Sequence, residues 1–346
     1  MPKALDDTLD AIRALLGTPN RPKPPPLSLF QMSELGRIPN VTQEVVPAYT
    51  SGRPLTDLAS GFQSRRPRIT KDVLAGLQGG SDQWYYNEPI RQQFIYELGD
   101  QAGNERFAQW ASLMGANSNS APVRPNVRNA SLSMNRMLNG TLPIGDVNNY
   151  KEALDFIRAN KSFLPSGYGS VAQATSLNNV LQYVRGEDIA RIGKRGAPLK
   201  IQNFTQNLLG NLSGWTGDRH EAFRFGVPSV FNKSTGKMEK QVFPSTAYPE
   251  AERLSRLWSS DVGLSPAEWQ SARWMGGAPF TGVKSTDPSM AHAIEAVVYA
   301  AARRTGEKPA DVFRRYFKEG GIVAVPGAIG TAAAMSGDTP ADEEQY

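Results

Sequence analysis

The spacing of apolar residues predicts a chain that is mostly helical. Leu5, Leu9, Ile12 and Leu16 fall on one face of a short helix over residues 4–16. Helical periods resume near residue 69, and glycine or proline punctuates their ends. These helices are expected in TKDVLAGL, NEPIRQQFIYELG, NERFAQWASLMG, VRNASLSMNRMLNG, VNNYKEALDFIRANKSF, the second half of GYGSVAQATSLNNVLQYVRG, YPEAERLSRLWSSDVG, SPAEWQSARWMG, SMAHAIEAVVYAAARRTG and KPADVFRRYFKEG.

The same pattern divides the chain into three parts. Residues 1–68 combine the short helix with a proline-rich, basic segment that is expected to be an extended arm. Residues 69–320 form an all-α domain, in which Thr70 is expected to be the N-cap of the first helix. The only strand pattern is KQVFPS, which is expected to pair with FGVPSVFN in a short ribbon. Residues 321–346 are expected to be a flexible acidic tail.

Composition excludes several kinds of site. The chain has no cysteine and only two histidines, which excludes disulfides, iron–sulfur clusters and thiolate zinc sites and argues against a histidine-rich metal site. A carboxylate-bound Mg²⁺ stays open, but the sequence predicts neither a metal nor a cofactor. No apolar run approaches the roughly 20 residues of a membrane span, so the chain is expected to be soluble.

Positive charge is concentrated near the N-terminus. The formal net charge is +5, and residues 21–71 contain eight Lys or Arg against three acids. A basic arm suits nucleic acid, an anionic lipid surface or an acidic partner. A solvated linker that is kept soluble by its charge is an equally good interpretation of this segment.

The segment from Lys194 to His220 joins two predicted helices through a short basic turn. One helix is expected to end at Gly193, the turn KRGAP follows, and a second helix begins at Leu199. Two helices joined in this way present backbone N–H groups and helix N-termini to phosphates. A loop then leads to Asp218, whose carboxylate is expected at the N-cap or first turn of the next helix.

This segment resembles the active-site segment of helix-hairpin-helix DNA glycosylases of the endonuclease III type. In that family a glycine-rich hairpin is followed by a lysine, an apolar helix, a loop and an Asp-x-His sequence; here GAPLK and DRH stand at those places. The resemblance implies that Lys200 attacks the anomeric carbon and that Asp218 stabilises the positive charge on the sugar. Pro198 replaces a hairpin glycine and has no N–H to offer a phosphate. The DNA contacts that the resemblance implies here are Lys194, Arg195, Gly196, Arg219 and His220.

A second segment, FAQWASLMGANSNSAPVRPNVRNA, also resembles this family. In the family a polar loop lies in the DNA minor groove and fills the gap left by a flipped base, and the resemblance places Asn117, Ser118 and Asn119 in that loop. The polar positions of the helix after the lysine indicate a re-purposed pocket. The resemblance covers about residues 100–275, and the pairing of segments is similar to that of uncharacterised bacteriophage proteins. The pocket residues are expected to be Gln202, Asn203 and Gln206.

Each candidate residue also has a plainer interpretation. Asp218 could serve only as an N-cap, and a lysine such as Lys200 is more often solvated than nucleophilic. Lys194 and Arg195 could face solvent. His220 could be a histidine satisfied at a helix start.

Three functions follow from these patterns and from the resemblance. The first is a phage-encoded, DNA-binding, glycosylase-like enzyme that acts on an ordinary or modified DNA base. The alternative is a virion-associated or internal structural protein of a phage particle, with the same fold but without catalysis, whose arm docks on other virion proteins. A plain DNA-binding helical module lies between the two. The expected partner is DNA, the expected location is the host cytoplasm or the phage virion, and no cofactor is expected.

Overall fold

The computed structural model is predominantly helical, which confirms the all-α prediction at the level of fold class. The chain divides into two compact units, Met1–Arg91 with Gly193–Glu295 and Gln92–Ile192 with Ala296–Tyr346. Within the described part of the chain, no helix has the length and apolar character needed to cross a membrane. The structure describes residues 2–18, 61–118, 122–142, 150–160, 171–189, 192, 198–232, 237–244, 247–281, 283 and 287–317.

Two short antiparallel strands accompany the helices, and they pair Phe231 with Met238. In chain order the elements are α1 (Pro2–Leu16), α2 (Arg66–Gln78), a 3-10 helix (Ser81–Gln83), α3 (Glu88–Leu98), α4 (Asp100–Asn117), α5 (Val123–Leu138), α6 (Tyr150–Ala159), α7 (Val171–Val184), α8 (Pro198–Leu208), α9 (Arg219–Phe225), β1 (Ser229–Asn232), β2 (Lys237–Lys240), α10 (Tyr248–Ser260), α11 (Pro266–Gly276), α12 (Ala278–Thr281), α13 (Met290–Thr305) and α14 (Pro309–Phe317).

An aromatic cluster forms the core of the first unit. Phe225 stacks on Trp258 with ring centroids 5.6 Å apart, and Trp215 packs edge-on against Phe225 at 5.8 Å. Helix α1 adds the buried side chains Leu9 and Ile12 of its predicted apolar face to the same core, although the sequence division placed this helix outside the helical domain. Because Trp215 belongs to the loop between α8 and α9, this core fixes the start of α9. The remaining rings of the cluster are Phe62, Phe243 and Tyr248.

Helices α2 and α11 cross at a point where neither can carry a side chain. A Cβ on Gly76 would overlap the carbonyl oxygen of Ala272, and one on Gly276 would overlap that of Asp72. The two backbones therefore touch directly, as glycine permits. This close crossing brings Asp72 and Arg273 of the two helices beneath α9.

The second unit has its own aromatic core and a polar region at the end of α4. Phe94, Phe107 and Phe317 pack together with centroid separations of 5.5–6.0 Å. The last carbonyls of α4 accept hydrogen bonds from neighbouring helices: Asn126 of α5 donates to Met114, and Asn179 of α7 donates to Ala116. These side-chain amides satisfy carbonyls that a helix end leaves without intrahelical partners.

The predicted start of the helical domain needs correction. Helix α2 begins at Arg66 rather than near residue 69, because Pro67 fits the first helical turn. The prediction that Thr70 caps this helix is wrong: Thr70 lies inside the helix, and its hydroxyl donates to the Arg66 carbonyl at 2.8 Å. Residues 61–63 are helical as well. The rest of the predicted arm, residues 19–60, and the predicted tail, residues 321–346, lie outside the described residues.

The helix predicted in GYGSVAQATSLNNVLQYVRG is α7, and its end at Gly186 is confirmed, whereas the separate helix that was expected to end at Gly193 is not formed by the described residues before that position. Helix α7 stops at Val184, and Gly186 adopts φ = +91°, the left-handed conformation that favours glycine. The Gly186 N–H donates to Tyr183 and the Glu187 N–H to Gln182, which is the hydrogen-bond pattern of a Schellman motif. Residues 187–189 and 192 follow outside any helix, and Gly193 lies outside the described residues.

Candidate functional site

Helix α8 carries Lys200 in its first turn and packs through one apolar stripe. Ile201, Phe204 and Leu208 are buried at helical spacing, so this helix is amphipathic as predicted. Leu209, which was expected in the core, lies just beyond the helix end and is only half-buried. The apolar stripe fixes the rotation of α8 and hence the direction of its polar side chains.

Two buried asparagines of α8 hold the loop that leads to Asp218. The Asn203 amide donates to the Trp215 carbonyl at 2.9 Å, and the Asn207 amide donates to the Gly214 carbonyl at 3.1 Å. Gly214 is required by this close approach, since an added Cβ would lie 3.0 Å from that of Asn203. Asn203 was expected to line a pocket, and the structure places it as a buried support of this loop. Gln202 and Gln206 are half-buried on the same helix.

Tyr248 provides a further clamp on this loop. Its hydroxyl donates to the Trp215 carbonyl at 2.8 Å and accepts from the Gly217 N–H at 3.1 Å. Burial raises the pKa of Tyr248, with a contribution from Glu252, so the hydroxyl keeps its proton at neutral pH. The backbone directly before Asp218 is therefore held on two sides.

Asp218 is the N-cap residue of α9. Its carboxylate accepts hydrogen bonds from the backbone N–H groups of His220 and Glu221, both at 2.8 Å. These are the amides that a helix start leaves without partners, and a carboxylate is favoured there by the helix dipole. The expectation that Asp218 stands at the helix N-cap is therefore confirmed, and its carboxylate is held in place.

The structure brings Lys200 and Asp218 into one electrostatic site. Burial lowers the pKa of Lys200, the carboxylate of Asp218 opposes that shift, and the Arg219 guanidinium adds to it. Lys200 as a whole residue is half-buried. A lysine with a lowered pKa has a larger fraction of neutral amine near neutral pH, and the neutral amine is the nucleophilic form.

His220 and Lys240 meet at a single carbonyl next to this pair. The His220 Nδ1 lies 3.0 Å from the Thr281 carbonyl oxygen, and the Lys240 ammonium donates to the same oxygen. A carbonyl only accepts, so His220 carries its proton on Nδ1 and leaves Nε2 as an acceptor. Burial lowers the pKa of His220, opposed by Asp218, which favours the neutral ring.

Buried ion pairs support α9 from below. Arg224 donates to the Asp72 carboxylate at 2.5 Å, and Arg273 pairs with Glu221. All four side chains are buried. Removing one partner of such a pair would leave a charge uncompensated, at a cost of about 3–5 kcal/mol. Helix α9 has only seven residues, which is too short for a helix to be stable by itself, and these ion pairs hold it in position.

Tyr85 is another buried side chain near this site. Its hydroxyl donates to Gln270 at 2.9 Å. Burial raises the pKa of Tyr85, opposed by its contacts with the Thr216 and Asn207 side chains. The negative charge of Asp218 acts on this pKa too, which places the tyrosine in the same electrostatic environment.

The other expected site residues are distributed differently. Asn117 and Ser118 belong to the second unit, at the end of α4. Asn117 is buried, and its amide donates to the Leu113 carbonyl at 3.0 Å. Asn119 lies outside the described residues, and so do three residues of the basic turn, Lys194, Arg195 and Gly196.

Sequence reasoning missed the residues that reach the site from distant parts of the chain. Tyr85, Lys240, Thr281 and Arg273 stand in segments without a motif, and only tertiary packing brings them to Asp218. Asn207 is one of the polar positions of the helix after Lys200, and it follows Asn203 at the four-residue spacing that places two side chains on one helix face.

No group of three His, Cys, Asp or Glu residues in the described part of the chain is arranged to hold a metal ion. Among the described residues, the site comprises Lys200, the capped carboxylate of Asp218, and the side chains of Arg219, His220 and Lys240 around them. Comparison of the chain with protein-family models, curated proteins and solved structures gave no match.

Proposed function

We propose that this chain is a phage DNA-binding protein that acts as a glycosylase-like enzyme on an ordinary or modified DNA base. Lys200 would be the amine nucleophile and Asp218 the carboxylate that faces the sugar. The observation that carries the proposal is the electrostatic pairing of a lysine of lowered pKa with a carboxylate held on a fixed helix N-cap. Perturbed lysines of this kind are typical of covalent catalysis.

The proposed chemistry uses both side chains. The lone pair of the Lys200 amine attacks C1′ of the nucleotide, and the C1′–N bond breaks with its electrons going to the departing base. Positive charge that develops on the sugar is stabilised by the Asp218 carboxylate. The attacking nitrogen then loses one proton, and its lone pair forms the C1′=N bond as the C1′–O4′ bond breaks and O4′ takes up a proton. The product is an iminium ion between enzyme and DNA.

The rigidity around Asp218 supports this assignment. Asn203, Asn207 and Tyr248 fix the loop before it, and two backbone amides fix the carboxylate itself. A catalytic group that is already held in place does not have to be ordered during the reaction.

Borohydride trapping tests the nucleophile. The full chain would be incubated with borohydride and single-stranded, duplex and phage-derived DNA, together with a duplex that contains an abasic site. We expect a covalent adduct that is lost in Lys200→Ala. It should persist in Lys240→Ala, which removes a second lysine near Asp218, and in Lys71→Ala, which removes an exposed lysine of α2.

An adduct that survives in Lys200→Ala would assign the nucleophile elsewhere. The absence of an adduct on every substrate, with salt-sensitive DNA binding intact, would favour a DNA-binding or virion role instead. Thermal melting of Lys200→Ala shows whether a lost adduct reflects lost folding.

Two substitutions separate the role of Asp218 as a hydrogen-bond acceptor at the N-cap from the role of its negative charge. Asparagine at this position keeps an oxygen acceptor for the two backbone amides, so Asp218→Asn should abolish base release while the melting temperature stays within about a few degrees of the wild type. Asp218→Ala removes the acceptor as well and should cost about 0.5–2 kcal/mol of stability. Full base release by Asp218→Asn would show that the residue acts only as a cap.

A further inference from the structure

The hairpin of β1 and β2 exposes large apolar side chains beside the Lys200–Asp218 site. Phe231 is 56% exposed and Met238 is 63% exposed. Isolated exposed apolar residues are ordinary on protein surfaces, but a concentrated group marks an interaction site. The other exposed apolar side chains on or next to the hairpin, or on the short helix α12, are Val230, Val242 and Phe280.

The strand register places Phe231 and Met238 together. They are directly opposite each other in the antiparallel pair, so their side chains stand on one face of the ribbon. Lys240 stands on that same face two residues further along, about 7 Å away. The ribbon thus presents two adjacent apolar side chains at a short distance from a lysine.

Lys240 connects this ribbon to the candidate site. Its ammonium donates to the Thr281 carbonyl, which His220 also contacts, and it lies 5.3 Å from the centre of the Phe223 ring. Asp218 and Arg219 both influence the pKa of Lys240, which burial lowers. Phe231 and Met238 therefore project from the border of the site itself, and both belong to the first unit.

The charge around the apolar pair favours a polyanion as its occupant. Lys200, Arg219 and Lys240 are the cations of this border, and Asp218 is the carboxylate that acts on two of them. A second copy of a chain with this border would bring cations against cations. Duplex DNA offers phosphates to the cations and stacked bases to the apolar side chains.

We propose that Phe231 and Met238 form a wedge that inserts between stacked bases of duplex DNA next to the Lys200–Asp218 site. The inference rests on the proposed DNA function and adds the element that opens the duplex. Phenylalanine and methionine are among the side chains that unstack base steps in this way. Their distance of about 7 Å from Lys240 corresponds to roughly two base-pair steps.

The test compares binding to two duplexes of one sequence, one intact and one with a tetrahydrofuran abasic analogue beside a 2-aminopurine. Wild-type protein should bind the abasic duplex more tightly and raise the 2-aminopurine fluorescence, which reports unstacking. The double variant Phe231→Ser with Met238→Ser should lose at least about fivefold of affinity for the abasic duplex and lose the fluorescence increase. Leu257→Ser, which removes an exposed apolar side chain of α10, should keep both properties.

Two results would overturn the wedge. In the first, the double variant still prefers the abasic duplex and still raises the fluorescence. If wild-type protein also forms the Lys200 adduct, the proposed function stands without the wedge. In the second, sedimentation shows concentration-dependent self-association that the double variant abolishes, and the wild type does not prefer the abasic duplex. The hairpin would then be an interface between copies of the chain.

Discussion

The amine of Lys200 has two charged neighbours that act on it in opposite directions. Asp218 favours the ammonium form, whereas Arg219 and burial favour the neutral amine, and the net result is a lowered pKa. Asp218 is meanwhile held by two backbone amides. The carboxylate is therefore close enough to influence the lysine, and its hydrogen bonds to the helix start keep it in a fixed position.

This arrangement predicts how Lys200 responds to pH. Its amine should become reactive to acetic anhydride with a midpoint below the ordinary 10.5. Arg219→Gln removes a like charge and should move the midpoint up, while Asp218→Asn removes an opposite charge and should move it down. Competitive labelling, with the Lys200 peptide quantified by mass spectrometry as the pH is raised, measures both shifts.

The exposed Lys71 in the same samples is the internal reference, and its labelling should respond to neither substitution.

The lowered pKa of Lys200 also determines the sign of its contribution to the pH dependence of stability. Because the folded chain binds the Lys200 proton less tightly than the unfolded chain, this residue makes stability rise with pH up to about 10.5. Midpoints that do not move in either variant would show that Lys200 does not sense these two charges.

At the residue scale, sequence could predict only the local part of the site. Lys200 and Asp218 are joined by one helix and one loop, so their proximity follows from a short stretch of chain. Lys240, Tyr85 and Arg273 come from a strand, a turn and a distant helix. Nothing in their own segments indicates a site, because their positions depend on tertiary packing.

At the scale of elements, α9 depends on its surroundings more than on its own sequence. Isolated helices shorter than about 12 residues are marginal in water. This one has an N-cap at Asp218, a left-handed C-cap at Gly226, and two buried ion pairs that join it to α2 and α11. The crossing of α2 with α11 therefore also fixes the site.

The close crossing gives a prediction for Gly276→Ala. The new methyl group would overlap the Asp72 carbonyl, so the helices must separate, and we expect a loss of about 1–3 kcal/mol despite the better helix propensity of alanine. Separation also moves Asp72 away from Arg224, so the site should loosen together with the fold. Chemical denaturation measures the first effect, and adduct formation measures the second.

Gly61→Ala is the matched control, because an added Cβ there meets no atom within 4 Å. It should leave stability unchanged or slightly increased. Equal stability of Gly276→Ala and the wild type would show that the helices cross with more space than the structure describes.

Comparison of the predicted and observed helices shows which local sequence patterns are sufficient to locate a helix and its ends. Apolar periodicity located most helices because packing of an apolar face is what makes a helix stable in a protein. The helix ends were less certain. Thr70 was a plausible cap, but Pro67 allows an earlier start. Gly186 ends α7 as its sequence predicted, but residues 187–189 and 192 do not form the further helix that was expected to end at Gly193.

At the scale of the whole molecule, the positive charge is placed differently from the sequence expectation. Of the eight basic residues between 21 and 71, four fall within 65–71, at the start of α2. Arg66 pairs with Asp261, and Arg68 donates to the Phe223 and Arg224 carbonyls at the end of α9. Half of the basic residues of this range therefore lie at the start of α2, and two of them form contacts within the first unit.

The remaining arm charge can be tested without shortening the chain. Leu9, Ile12 and Phe62 are buried in the core of the first unit, so a deletion through residue 68 would destabilise the fold itself. The better variant replaces the four basic residues of the arm by glutamine. These residues are Arg21, Lys23, Arg37 and Arg53.

If the arm binds DNA, this variant should bind duplex DNA more weakly, and the plot of log affinity against log salt should become less steep by up to about 3.6, as expected for four phosphate contacts. The matched control carries glutamine at four exposed basic positions elsewhere and has the same net charge. It should keep a steeper salt dependence than the arm variant. Equal slopes for the two variants would show that the arm makes no specific phosphate contacts and contributes to binding only through the net charge of the chain. The control positions are Lys3, Lys151, Arg158 and Lys308.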